Sequence, residues 1–202
     1  MYTLFSEHIE EIEIERSKFI AISNHVESQE EIKDIIKNIK KRFPKAKHYC
    51  YGYALDGNYK GSDDGEPKGT AGRPLVELLK NKKLDNVLIV VVRYFGGILL
   101  GASRLLRTYV DAGNLVIQSQ KRYQISYRDY YEAYVDYSHF ENFKNYLSGK
   151  NVEIEHIEYR DSRPCLKFYA LPSIENEIIE VFHNRIVLKK IKEHVISYEE
   201  EK

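Results

Sequence analysis

Apolar and polar residues alternate over "EIEIERSKFIAISNHV", residues 11–26. Ile12 and Ile14 stand between acids, and Phe19, Ile20 and Ile22 resume the pattern, which predicts a hairpin turning at Arg16 to Lys18. From Ser28 the period changes. Ile32, Ile35, Ile36, Ile39 and Phe43 recur at helical spacing behind a capping box of Ser28 and Glu31, and Pro44 ends the run. The opposite face of that helix carries Lys33, Lys37, Lys40, Lys41 and Arg42, cations that also complement a helix C-terminus. "HYCYGYAL" (48–55) alternates Tyr49, Tyr51 and Tyr53 as a strand does. Residues 56–72 read as a Gly/Asp-rich loop too long for a tight turn. A short helix follows over Arg73–Lys80, with Pro74 in its first turn. "DNVLIVVVRYF" (85–95) is a continuous β-branched run and is expected to be a strand buried on both faces. A second long helix is expected from near Gly101 to Gln118.

The texture changes near Tyr123, where tyrosines crowd "RYQISYRDYYEAYVDY". A strand there precedes a helix over 139–148, strands over 151–159 and 165–171, a helix over 173–183 and a strand over 187–198. That βαββαβ order is the split βαβ, or ferredoxin-like, arrangement. Gly149 is placed as the C-cap of its first helix. The pattern predicts an α+β protein of two domains, 1–123 and 124–202.

Composition narrows the classes. With 43% apolar and 31% charged residues in 202, the chain is expected to be soluble and globular. Its longest apolar run, Val87–Val92, is far too short for a membrane span, and no membrane partner is expected. The N-terminus lacks a secretory pattern, and Cys50 and Cys165 suggest no disulfide framework, so the expected location is the cytoplasm. The zero net charge is uneven. Residues 1–122 hold 20 Lys+Arg against 16 Asp+Glu, and the remainder holds 11 against 15. An anionic partner would therefore favour the first part.

Two glycine-broken stretches carry the candidate chemistry, "SDDGEPKGTAGRP" (62–74) and "RYFGGILLGASRLLR" (93–107). Asp63, Asp64 and Glu66 are hard oxygen ligands able to touch Mg²⁺, or acids that order the loop through its own backbone. No histidine or cysteine stands at ligand spacing around them, so no metal and no cofactor is assigned. Neither a G-x-S-x-G elbow nor a convincing triad occurs; His48 reads equally as a packed strand residue or a base, and no catalytic residue is assigned. Gly96, Gly97, Gly101 and Ser103 place small residues ahead of a helix, a backbone cradle for an anion or simply a turn and a close approach. Arg104 and Arg107 share a helix face near its positive end. Arg93 ends an apolar strand and needs either a phosphate or an internal carboxylate from Asp63, Asp64 or Glu66. Both readings bring the two stretches together in space. Tyr51, Tyr53, Tyr130, Tyr131 and Tyr134 read as half-buried sheet residues or stacking platforms.

"DDGEPKGTAGRP", "VVVRYFGGILLG" and "LLRTYVDA", preceded by "SKFIA" and "KHYCYGYAL", resemble the YigZ/IMPACT family over nearly the whole chain. The resemblance implies an N-terminal α/β domain folded like the second domain of the fifth small-subunit ribosomal protein, followed by a ferredoxin-like domain. It resembles the last two domains of elongation factor G, which work against ribosomal RNA. The eukaryotic relatives regulate translation, with an additional N-terminal recruitment domain whose partner is not carried over. Ser103 and Arg104 depart from a glycine pair common in the family, and Thr108 from an alanine. Some members have been labelled peptidases, a label that neither a metal cage nor a nucleophile supports here.

The expectation is a non-catalytic protein that binds RNA or the ribosome and regulates translation, with a translation-associated protein as a further partner. Lys68, Arg73, Arg93, Arg104 and Arg107 would hold phosphate and Tyr94 would stack on a base. The alternatives are an enzyme acting on a phosphorylated small molecule, with Asp63 or Asp64 on Mg²⁺, and a protein-interaction module.

Overall fold

The computed structural model describes residues 1–150, 152, 154–183 and 185–200, of which 193–197 and 199 by their backbone alone. In chain order the elements are β1 (Tyr2–Thr3), β2 (His8–Ile14), β3 (Ser17–His25), α1 (Gln29–Arg42), β4 (His48–Leu55), β5 (Asn58–Ser62), α2 (Gly72–Asn81), β6 (Val87–Tyr94) and α3 (Ala102–Gln118). There follow β7 (Tyr123–Val135), α4 (Tyr137–Gly149), β8 (Ile154–Glu158), β9 (Cys165–Ala170), α5 (Ile174–Phe182) and β10 (Ile186–Glu200). The class is α+β. The chain divides into two compact units, Met1–Gln124 with the chain end from Glu199, and Ile125–Tyr198. No helix among the described residues is long and apolar enough to cross a membrane.

The first unit is built on a five-stranded sheet ordered β2-β3-β6-β4-β5, antiparallel throughout. Its central strand β6 is buried from Val87 to Arg93 because helices cover both faces. Side chains alternate along a strand. Val87, Ile89 and Val91 therefore join Phe19 and Ala21 under α2 and α3, whereas Leu88, Val90 and Val92 join Ile20 and Ile22 under α1. A continuous apolar run is the usual mark of a parallel strand; here the same double coverage produces it in an antiparallel setting.

Local chemistry accounts for the helix start and both hairpins. Ser28 Oγ accepts the Glu31 N–H, and the Glu31 carboxylate accepts the N–H of Glu27, opening α1. The first hairpin turns on Glu15 and Arg16, both with positive φ, and not on Arg16 to Lys18. Ser17 and Lys18 already pair in β3, since a two-residue turn matches the strand twist. Residues 56–72 are likewise not one loop. Asp56 and Gly57 turn a second hairpin, and β5 pairs with β4 from Tyr51 to Leu55. The Asp-Gly dipeptide was its signal.

In the second unit β7, β9 and β8 lie side by side, antiparallel, and β10 pairs with the other edge of β7. The helices α4 and α5 contribute Phe140, Phe143, Ile174 and Ile178 to its core beside Tyr131 and Phe168. Gly149 remains helical and Lys150 is the cap, its N–H reaching back to Tyr146 and Leu147. Tyr131 is fully buried, while the hydroxyls of Tyr130 and Tyr134 donate to Glu155 and Glu132. These three are sheet residues with satisfied polar ends.

Candidate functional site

Strand register alone sets a row of three side chains on the α2/α3 face of the first sheet. Arg93 is the central member, paired across β6 with Phe19 of β3 on one side and His48 of β4 on the other. Arg93 is only 5% exposed. A buried cation needs a counter-charge, and Glu66 supplies it: Arg93 Nη1 donates to Glu66 Oε1 at 2.7 Å. The Tyr109 hydroxyl of α3 donates to the same oxygen at 2.7 Å. The guanidinium lies 5.1 Å from the Phe19 ring centre and 5.5 Å from that of Phe95. Its Nε, also buried, has no hydrogen-bond partner.

Behind this pair the polar atoms are closed to chemistry. Burial raises the Tyr109 phenol far above its usual range and the Cys50 thiol to about 12. Cys50 is therefore a neutral thiol, 2.9 Å from the Asp63 carbonyl and 3.3 Å from the Tyr109 hydroxyl, and not a nucleophile.

The acids of "SDDGEP" are directed at three different partners. Asp63 accepts the N–H groups of Gly69, Ala71 and Gly72, at 2.8, 3.0 and 2.8 Å, and so caps the start of α2 from upstream. Asp64 turns the other way, accepting the Tyr49 N–H at 2.7 Å with Lys40 at 3.8 Å. Glu66 faces Arg93, and His48 Nε2 is 3.9 Å from its second oxygen. Among the described residues no group of three His, Cys, Asp or Glu could hold a metal ion.

Burial acts to raise the Asp63 carboxyl, but its three N–H donors outweigh it and hold the group below its usual value. A depressed folded-state value contributes stability above the unfolded value, about 3.9, which is lost as pH falls through the folded one. Asp63→Asn is expected to cost about 1–2 kcal/mol at neutral pH. The gap to wild type should narrow below about pH 4, as urea unfolding across a pH series would show.

Above the Arg93–Glu66 pair a cavity of about 380 Å³ opens, walled by Lys47, His48, Glu66 and Arg93, by Phe95, Leu99, Leu100 and Leu105, and by Gly101 and Ala102 at the start of α3. Gly101 adopts φ +76° and its side offers no side-chain cap, so the first N–H groups of α3 lack that partner. His48 Nδ1 donates to the Asp64 carbonyl at 2.8 Å, which leaves Nε2 to the cavity side.

The other residues singled out in sequence are dispersed. Arg104 is exposed and pairs with Glu15 at 2.9 Å. Arg107, Ser103 and Lys68 are exposed, and Arg73 lines a separate groove between α2 and α3. Tyr94 follows Arg93 in the strand and therefore points to the α1 face, where its hydroxyl donates to the Pro44 carbonyl. Stacking by Tyr94 beside Arg93 is ruled out by that alternation. Gly96 is no part of an open cradle either, for its N–H donates to Ser17 Oγ. Gly97 is exposed with φ +87°. Sequence reasoning missed Lys47, Phe95, Leu99 and Tyr109; the alternation that placed His48 and Arg93 on one face was the available signal.

A second feature lies on the opposite face. Lys33, Lys37, Lys40 and Lys41 of α1 border an open groove with Ile36, Tyr51, Ser62 and Asp64. The lysines are all exposed, and among the described residues no carboxylate lies within 4.0 Å of Lys33, Lys37 or Lys41. Tyr51 is half-buried and stacks at 6.3 Å on the buried Tyr53.

The Impact N-terminal domain matches residues 15–117. The chain is similar to the IMPACT family member YvyE of Bacillus subtilis, 36% identical over 160 residues, covering 75% of this chain and 71% of that protein. An IMPACT family member of Haemophilus influenzae is 43% identical over 116 residues, about half of each chain at 55%. A crystal structure of a hypothetical protein superposes with a TM-score of 0.60 at 24% identity, covering 95% of this chain and 97% of its own, and shares the fold.

Proposed function

The chain belongs to the IMPACT family, and we propose that it regulates translation by binding RNA, ribosomal RNA first, without catalysing a reaction. The observation that carries this reading is the lysine-lined groove beside α1. Lys33, Lys37 and Lys41 stand one helical turn apart, about 6 Å at 1.5 Å rise per residue. Exposed, unpaired cations in a row release counterions when they meet phosphates. Tyr51 supplies an aromatic edge at the groove. The neutral chain as a whole favours a shaped target over indiscriminate attraction. Exposed Lys68, Arg73 and Arg107 would add phosphate contacts away from the groove.

The test is co-sedimentation with ribosomes and ribosomal RNA across a salt series, wild type beside Lys33→Ala/Lys37→Ala/Lys41→Ala. These side chains lie on the surface, so circular dichroism should be unchanged. The variant should bind at least about tenfold more weakly, with the logarithmic salt slope shallower by about 2–3. Equal affinity and slope in the two proteins, or no wild-type binding at low salt, would sink the reading.

A second reading has its own observation. Leu99 is 87% exposed, beside exposed Phe95 and Ile98, on the loop before α3. Apolar side chains gathered on one loop suit a protein partner, the translation-associated protein of a regulator.

A further inference from the structure

We propose that the cavity over Arg93 and Glu66 is a binding site for a phosphate monoester of nucleoside monophosphate size. It lies across the sheet from the lysine groove and does not depend on it. The cavity is a built one. Arg93, its floor, is 5% exposed and has one N–H engaged by Glu66, while its Nε has no partner. Phe19 and Phe95 lie against the guanidinium, so its remaining donors lie in its own plane. Arg93 and Tyr109 both donate to Glu66 Oε1, which neutralises the buried cation, while Oε2 has only His48 Nε2 near it, at 3.9 Å.

Two further features point to an anion. Lys47 brings a second cation to the rim, 5.1 Å above the Phe95 ring. Gly101 and Ala102 bring the start of α3, whose uncapped N–H groups carry partial positive charge. His48 gives its Nδ1–H to the Asp64 carbonyl, so Nε2 of the neutral ring is an acceptor and is not one of the anion's donors. Two cations and a helix N-terminus supply more donors than a carboxylate ligand would use. They suit the three terminal oxygens of a phosphomonoester. Phe95, Leu99, Leu100 and Leu105 give the lining an apolar part that would lie against a flat base. A volume of about 380 Å³ is that of a small-molecule pocket and excludes a duplex.

The same phosphate chemistry could come from a free nucleotide or from a phosphorylated RNA end. NMR titration of the intact, isotope-labelled chain distinguishes them, reading the Arg93 Nε–H and the amides of Ala102 and Ser103. The probes are UMP, a 5′-phosphorylated hexaribonucleotide and the same oligomer with a 5′-hydroxyl. UMP is expected to shift these resonances saturably, and the 5′-hydroxyl oligomer is expected to leave them in place. Saturation by UMP alone assigns the site to free nucleotides; saturation by the phosphorylated oligomer alone assigns it to RNA ends. Lys47→Ala and Ala102→Pro, the latter removing one N–H where a helix tolerates proline, should each weaken UMP by at least about fivefold, just under 1 kcal/mol. Lys33→Ala/Lys37→Ala/Lys41→Ala should bind UMP as wild type does, which separates this site from the groove. No saturable shift with either phosphate-bearing probe at millimolar concentration would overturn the proposal. So would equal shifts with the 5′-hydroxyl oligomer, or undiminished UMP binding in both cavity variants.

Discussion

Glu66→Ala is expected to destabilise the first unit by about 3–5 kcal/mol, because it strands a buried guanidinium. Side-chain exposure at the pair is 3% for Glu66 and 6% for Arg93. Removing the carboxylate leaves both Arg93 Nη1 and the Tyr109 hydroxyl without their acceptor. Such a loss should lower the melting temperature by on the order of 10–20 °C. Urea unfolding of the single variant beside Glu66→Leu/Arg93→Met/Tyr109→Phe tests the cause. Apolar residues of similar volume can replace a buried ionic cluster at small cost, so the triple variant should recover most of the lost stability. A cost below about 1 kcal/mol for Glu66→Ala would mean that solvent reaches the pair and that burial is not what couples the two motifs.

Gly96→Ala should cost about 2–4 kcal/mol, and the reason is steric. A Cβ at this position would sit 2.1 Å from the Arg16 carbonyl carbon and 2.2 Å from its oxygen, backbone atoms of the β2–β3 turn. Neither side can yield without lifting the loop from the hairpin and breaking the Gly96 N–H bond to Ser17 Oγ. The neighbouring Gly97 is the internal control. Nothing lies within 4 Å of a Cβ there, but its φ of +87° suits glycine alone. Gly97→Ala should therefore cost only about 1–2 kcal/mol, the conformational term. Chemical denaturation of both variants decides the matter. If Gly97→Ala proves the more damaging, the glycine pair serves backbone conformation and not the seating of the loop on the turn. Because Phe95 and Arg93 immediately precede it, Gly96→Ala should also disturb the cavity, visible as movement of the Arg93 Nε–H resonance.

Much of the local structure was legible along the chain. Isoleucines at helical spacing behind Ser28 define α1, and the capping bond is present. Pro74 stands in the first turn of α2, and the β-branched run of β6 is buried on both faces. Alternation even placed Arg93 and Tyr94 on opposite faces of the sheet, although their adjacency in sequence had grouped them in one site. What the glycines and aspartates of 56–72 concealed was β5, since turn-forming composition outweighed a five-residue strand whose pairing with β4 comes from outside itself.

The site divides in the same way. From sequence alone it followed that an arginine ending an apolar strand needs a partner, and that three acids stood 27 to 30 positions earlier in the chain. Which acid would meet it did not follow. Asp63 caps α2, Asp64 binds the Tyr49 N–H and only Glu66 reaches Arg93, a choice made by the path of the loop over the sheet. Lys47, Phe95 and Leu99 join that cavity, whereas Arg104 is drawn to Glu15 and Tyr94 to Pro44, for the same reason. Local periodicity and capping arise among residues a few positions apart, so the chain specifies them directly. Which charges are buried together depends on strand register and loop closure between distant segments, and only the folded chain decides that.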